Sequence, residues 1–367
     1  MGKLKNFQNL LRMFTMKDYR VTDFDDIHCD FSRIDGTERP MLSLACSRDD
    51  GKTTGFLIRK ALPAFRRGHP TILLFRNQVD VSESSIRYFA NLMNKHVRPH
   101  IEGDVVGSSK TGLATFLVDK RPLFHCVPLG MKEYNLKKTA YENAEFALFD
   151  ELEVNPQNKE KYLVNEYEKF LAVYDTQRKV YNTRFYFLTN MYSRVNPYWR
   201  AWGINPRQIE LGCFLKGDYW AFEWRKMNPL LVEKLKRENQ HWDEETSYGK
   251  MAFANRPPMD EGTHVGPMPN GYALSECFRY EGDTYGAYLT SDWTGSNPLY
   301  YFKRERDNSR RRVVYAFDFS DLMCNAVIAD RRERNHFAHI KRAIREQDYL
   351  CDSLETEFAF RSIFEYL

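Results

Sequence analysis

The stretch Met41-Leu-Ser-Leu-Ala-Cys46-Ser47-Arg48-Asp49-Asp50-Gly51-Lys52-Thr53-Thr54 decides how the first half of the chain is read. Residues 41–46 read as a short buried strand. Thr54–Leu62 has helical spacing, with Pro63 just past it. Between them, Cys46–Thr53 matches G-x-x-x-x-G-K-(S/T), except that Cys46 stands at the first glycine. Between a strand and a helix, this pattern makes a phosphate cradle from backbone N–H groups at the helix N-terminus, here over Ser47, Arg48, Asp49, Asp50, Gly51, Lys52, Thr53 and Thr54. Gly51 allows close backbone approach, Lys52 reaches the β- and γ-phosphates, and the Thr53 hydroxyl holds Mg2+. Cys46 and the acidic pair Asp49-Asp50 depart from the usual pattern. They are tolerated if the side chains point away while the amides point in.

Outward from this loop, Thr71–Phe75 reads as a second strand with a helix, Glu83–Lys95, behind it. Ala114–Val118 and Leu123–Val127 read as a hairpin turning across Asp119–Pro122. Phe146–Phe149 is an apolar strand ending in Asp150-Glu151. A helix from about Lys161 to Gln177 and a strand at Phe185–Leu188 complete an α/β domain with a mostly parallel sheet. An acid pair at such a strand end supplies Asp150 to hold Mg2+ and Glu151 to orient and deprotonate a water. The polar tip Thr189-Asn190 suits a sensor of the γ-phosphate. Both motifs in this order, with extra strands between them, indicate an ASCE-type P-loop ATPase that uses ATP for mechanical work.

The 367 residues suit two or three domains. Hydrophobic residues at 43% and charged residues at 28% exclude a wholly disordered or fibrous chain. No apolar run approaches the ~20 residues of a bilayer span, so no membrane partner is expected. No secretory signal is read at Met1–Phe7, and Phe7, Leu10, Leu11 and Phe14 form a helical stripe. Seven cysteines without a C-x-x-C pair suit a reducing compartment. His96 and His100 have zinc-helix spacing but no intervening Glu, and Pro99 opposes a helix, so structural zinc is not expected. Net charge is only +4, yet Lys303–Arg312 and Arg331–Arg345 are locally basic.

Composition shifts after about residue 210. A charged helix, Pro229–His241, precedes Pro/Gly-rich segments at 255–262 and 266–271. Beyond them, Tyr285–Leu289, Leu299–Phe302 and Arg312–Phe319 read as strands, and Arg331–Gln347 and Glu355–Tyr366 as helices. The expected division is an ATPase domain at 1–210, a connector at 211–265 and a smaller α/β domain at 266–367.

The run Leu188-Thr-Asn190-Met-Tyr-Ser-Arg-Val-Asn196-Pro197-Tyr198 resembles the corresponding stretch of the DNA-encapsidation ATPases of small short-tailed bacteriophages, which are similar to terminase large subunits. Arg48 ahead of Gly-Lys-Thr and Phe149-Asp-Glu151 are similar too. The resemblance spans Leu42–Tyr198 and is only architectural in the C-terminal third. It implies a homo-oligomeric ring, a pentamer, that docks on a procapsid portal and drives double-stranded DNA inward with ATP and Mg2+. Its place would be the host cytoplasm, transiently on the procapsid. Whether a structural RNA joins motor and capsid stays open.

The resemblance further implies an arginine inserted into the neighbouring subunit's site, matched here by Arg178, with Arg184 as competitor. Arg48 would contact the γ-phosphate in cis or respond to the neighbour. The C-terminal domain would be RNase H-like. Its acids Asp283, Asp292, Asp318 and Asp321 form no convincing metal-binding triad, so a vestigial nuclease contacting DNA or the portal is expected. Arg310, Arg311, Arg312, Arg331, Arg332 and Lys341 could meet phosphates there. The alternatives are a helicase-like ring ATPase and a silent nucleic-acid-binding module with a degraded loop. The lack of strand-separation motifs weighs against the first, and retention of Lys52, Thr53, Asp150 and Glu151 against the second.

Overall fold

The computed structural model describes residues 17–108, 112–154, 162–163, 165–194, 196–205, 208–238, 264–280, 282–291, 298–305, 313–316, 326–329, 337–346 and 348–365. The stripe at Phe7–Phe14 and the segment 255–262 lie outside these residues. Backbone packing divides the chain into two units, Met1–Tyr192 with Arg207–Pro258, and Ser193–Pro206 with Met259–Leu367.

The first unit is built on a nine-stranded sheet. Its strands are β1 (Met41–Ala45), β2 (Thr71–Phe75), β3 (Asp104–Ser108), β4 (Leu113–Val118), β5 (Arg121–Pro128), β6 (Phe146–Phe149), β7 (Arg184–Thr189), β8 (Phe214–Lys216) and β9 (Trp220–Trp224). Their order is β8-β9-β1-β7-β6-β2-β5-β4-β3. From β9 to β5 every pairing is parallel, and the outer pairs β8/β9, β5/β4 and β4/β3 are antiparallel. β1 and β6 are buried at every residue, as parallel strands covered on both faces are. β7 lies between them, so the phosphate loop and the acid pair leave neighbouring positions at the same sheet edge.

Three local expectations are corrected. The helix after the loop does not stop before Pro63. It runs as Lys52–Phe56, a π-helical turn at Leu57–Ala61, and Leu62–Arg67, together α1. Proline lacks an N–H and crowds the preceding turn, and the wider π turn just ahead of it accommodates both defects. The hairpin turns on two residues only, Asp119 (φ 49°) and Lys120 (φ 63°), so Arg121 and Pro122 belong to β5. Pro122 sits beside a register irregularity, before β5 pairs with β2 from Phe124 onward, so its missing N–H breaks no ladder there. The expected connector at 211–265 contributes β8 and β9 to the sheet, with β9 in parallel register from Trp220 opposite Met41 to Trp224 opposite Ala45. All five β9 residues are buried.

The expected boundary at residue 210 also shifts, because residues 193–206 pack within the second unit. The Arg361 guanidinium donates to Ser193 Oγ, and the Arg200 guanidinium lies 4.6 Å from the Tyr280 ring centre. This unit has a six-stranded sheet of β10 (Tyr272–Tyr280), β11 (Asp283–Thr290), β12 (Tyr300–Glu305), β13 (Val314–Ala316), β14 (Ala326–Ile328) and β15 (Tyr349–Cys351), ordered β14-β13-β10-β11-β12-β15. β10, β11 and β12 form an antiparallel meander, and β13 and β14 add in parallel to β10. Helices Ala338–Glu346 and Leu354–Glu365 accompany it around an aromatic core where Phe302 and Phe360 stack at 3.9 Å. Of the four acids considered for a nuclease centre, Asp283 is paired with Arg304 at 2.5 Å. Asp292, Asp318 and Asp321 lie outside the described residues, as do Arg310, Arg311, Arg312, Arg331 and Arg332. Lys341 is half-buried on the helix Ala338–Glu346. Among the described residues no helix is long and apolar enough to cross a membrane.

Candidate active site

β1 ends at Ala45, and the Cys46 N–H donates to the Thr189 carbonyl at the end of β7. The chain then turns through Asp49 (φ 66°) and Gly51 (φ 71°) into Lys52, the first residue of α1. A Cβ on Gly51 would lie 3.0 Å from His28 Nδ1, so glycine answers both the left-handed backbone and the tight packing. Cys46 and Asp50 are buried and Asp49 is exposed. Burial pushes the Asp50 carboxyl up to about 6, opposed by Arg225, by a Cys46 hydrogen bond and by Lys52. Cys46 is likewise raised and hydrogen-bonded to Cys29. None of these three departures from the glycine-rich pattern lines the cleft.

That cleft, about 750 Å³, is lined by Lys52, Thr53, Asp150, Glu151 and Asn190 among others. Lys52 Nζ donates to Asn190 Oδ1 at 2.6 Å, and Thr53 Oγ1 to Asp150 Oδ2 at 2.8 Å. Burial raises the Asp150 carboxyl, opposed by Lys52 and the Thr53 hydrogen bond. Two hard oxygen donors side by side, one a carboxylate that burial leaves in need of a cation, fit Mg2+. Glu151 is exposed at the cleft with a left-handed backbone (φ 56°), its N–H donating to Asp150 Oδ1 at 3.2 Å. The structure thus brings five expected residues together. Ser47, Arg48, Asp49, Asp50, Gly51 and Thr54 are not among those lining the cleft. Arg48 is half-buried near Tyr192, whose phenol is raised by burial and held down by the guanidinium.

Arg178 closes the helix Glu166–Arg178 (α2) away from the cleft, paired with Asp175 at 3.4 Å, with its side chain 60% exposed. Arg184 donates to the Asp35 carbonyl at 3.0 Å and pairs with its carboxylate at 3.8 Å, anchored within its own unit.

Sequence reasoning missed Arg76, which follows β2 and lines the cleft. Its guanidinium pairs with Glu166 at 2.9 Å and donates to the carbonyls of Leu152 at 2.5 Å and Glu151 at 3.4 Å. It also lies 5.3 Å from the ring centres of Phe149 and Tyr162. The available signal was position, since ligands of open α/β sheets gather at the carboxyl ends of the strands.

Lys52 and Thr53 at the end of a phosphate loop, and an acid pair on a strand two places away, meet at one cleft and define a P-loop fold of the ASCE type. A profile of the podovirus DNA encapsidation protein (Gp16) family matches residues 32–363, and the chain belongs to that family. No curated protein matches the chain in sequence. Among solved structures it is similar to the phi-28 gp11 DNA packaging motor (16% identity, 94% of this chain and 98% of that one, TM-score 0.59). It is similar also to the bacteriophage phi-29 genome packaging motor assembly (18% identity, 90% and 96%, TM-score 0.52).

Proposed function

We propose that this DNA-packaging protein is the ATP-hydrolysing subunit of a ring that drives double-stranded DNA through a portal into a procapsid. The observation that carries the reading is the pairing of Lys52 with Asn190 and of Thr53 with Asp150 in one cleft, with Glu151 beside them. In it Lys52 offsets charge on the β- and γ-phosphates, Asn190 orients Lys52, and Glu151 accepts the proton of the attacking water. Thr53 and Asp150 would hold Mg2+, which when bound would neutralise charge on the phosphates. Arg178 of one subunit completes the site of the next, and Arg48 follows the γ-phosphate. The ring is pentameric and acts in the host cytoplasm, on the procapsid. The second unit, a nuclease-like domain without cutting activity, contacts DNA or the portal.

The test is steady-state ATP turnover with and without double-stranded DNA. DNA is expected to stimulate turnover. Glu151→Gln is expected to retain ATP affinity within about twofold and to lose ~10²–10⁴-fold in rate, the usual contribution of a general base. Turnover by Glu151→Gln at the parent rate would remove Glu151 as the base.

A further inference from the structure

The sulfurs of Cys29 and Cys46 and a carboxylate oxygen of Asp50 lie within 4.8 Å of one another. All three residues are buried, at 0%, 0% and 1% exposure. Cys29 comes from the segment before β1, and its N–H donates to the Asp50 carbonyl at 2.9 Å, which holds that segment against the phosphate loop. The Cys46 thiol hydrogen-bonds to both Cys29 and Asp50. A second observation concerns the carboxylate alone: Asp50 Oδ2 is buried with no hydrogen-bond partner. A buried carboxylate oxygen without a hydrogen-bond partner, beside two thiols, is costly as it stands and well suited to a cation.

We propose that Cys29, Cys46 and Asp50 bind one zinc ion beneath the phosphate loop. Two sulfurs and one oxygen are a borderline-soft donor set, which selects zinc over the Mg2+ that Thr53 and Asp150 fit. Zinc–ligand bonds of ~2.0–2.3 Å around a tetrahedron put donor atoms about 3.3–3.8 Å apart, a small contraction from the present spacing. Binding releases the two thiol protons. The two thiolates and the carboxylate carry three negative charges, so the loaded site is left with one. Arg225 and Lys52 already act on Asp50 in the sense that offsets it. Structural zinc sites close with four protein ligands. Three leave the fourth position to water and make the ion exchangeable. Occupancy would tie the first and fifth residues of the phosphate loop to the segment before β1.

The experiment is a Co2+ titration of the full chain, stripped with chelator and kept reduced by a phosphine. The expected result is a thiolate-to-cobalt charge-transfer band that saturates at one ion per chain and is displaced by Zn2+. Cys29→Ser and Cys46→Ser each abolish it, Asp50→Asn weakens affinity at least tenfold, and Asp150→Asn leaves the band in place. X-ray absorption of the zinc-loaded parent chain reads the same site without any substitution, and is expected to count two sulfur ligands. Absence of the band, its survival in either cysteine variant, or a sulfur count other than two would overturn the proposal.

Discussion

The guanidinium of Arg76 donates at once to the buried carboxylate of Glu166 and to the carbonyls of Leu152 and Glu151. Glu166 also accepts from the Leu163 N–H at 2.8 Å, and its side chain is fully buried. Arg76 thus ties α2 to the turn that presents Glu151 in its left-handed conformation, a strain of order 1–3 kcal/mol that persists only because the surroundings hold it. Arg76→Ala leaves an uncompensated buried carboxylate. It is expected to lower stability by ~3–5 kcal/mol in urea denaturation. Arg76→Lys keeps the charge but loses the planar fork, and is expected to fold with unchanged ADP affinity and reduced kcat. Equal loss of both would make Arg76 a nucleotide ligand rather than a positioning residue. Lys52→Ala, by contrast, is expected to weaken ATP binding itself by ~10–100-fold in calorimetric titration, the range of a charged hydrogen bond worth ~1.5–3 kcal/mol.

β5 carries a titratable group into the sheet. His125 stacks on Tyr141 at 4.0 Å, contacts Thr115 Oγ1 through Nδ1, and is pushed down to about 4 by burial. A histidine kept neutral in the fold binds fewer protons there than in the unfolded chain. Its stabilising contribution is complete above the unfolded value of 6.5 and is lost as pH falls from 6.5 toward about 4. Allowing for its partial exposure, the loss is about 2–3 kcal/mol. Denaturation of His125→Gln between pH 7 and 4 is expected to show a pH dependence shallower by that amount. An unchanged slope would mean that His125 titrates normally. The same strand shows how a short antiparallel pair finishes a parallel sheet, since β4 and β3 cap the edge that β5 would otherwise expose.

The proposed ring calls for an arginine that is not committed within its own subunit, and Arg178 fits that proposal by its position. It is mostly exposed, lies off the cleft, and its pair with Asp175 is of the surface kind worth ~0–1 kcal/mol, which a better partner displaces. Arg184 is held by Asp35 and would have to give up buried-side partners to serve a neighbour. Mixing parent subunits with Arg178→Ala subunits is expected to reduce ATP turnover more steeply than the mutant fraction. A linear fall would place Arg178 outside the neighbour's site. The same mixing with Arg184→Ala separates the two arginines, because loss of the Asp35 anchor lowers stability in every subunit alone.

What was legible in the chain was local. Gly51-Lys52-Thr53 and Asp150-Glu151 each fit within a few residues, and an apolar strand ahead of each told where it would sit; both Thr53 and Asp150 are expected to hold Mg2+, and their hydrogen bond across 97 positions is what the fold adds. Asn190 was legible only as a polar tip on a neighbouring strand. The rest depended on contacts that no spacing records. Arg76 meets Glu166 from 90 positions away, and Cys29 reaches Cys46 only because the segment before β1 folds against the loop. β8 and β9 looked like connector because three and five residues are too few to show a strand's period, and their place was decided by pairing with β1. Motif chemistry is written in adjacent residues because backbone geometry couples neighbours directly. Ion pairs, buried sulfurs and sheet edges are decided by burial, which exists only once the chain has closed on itself.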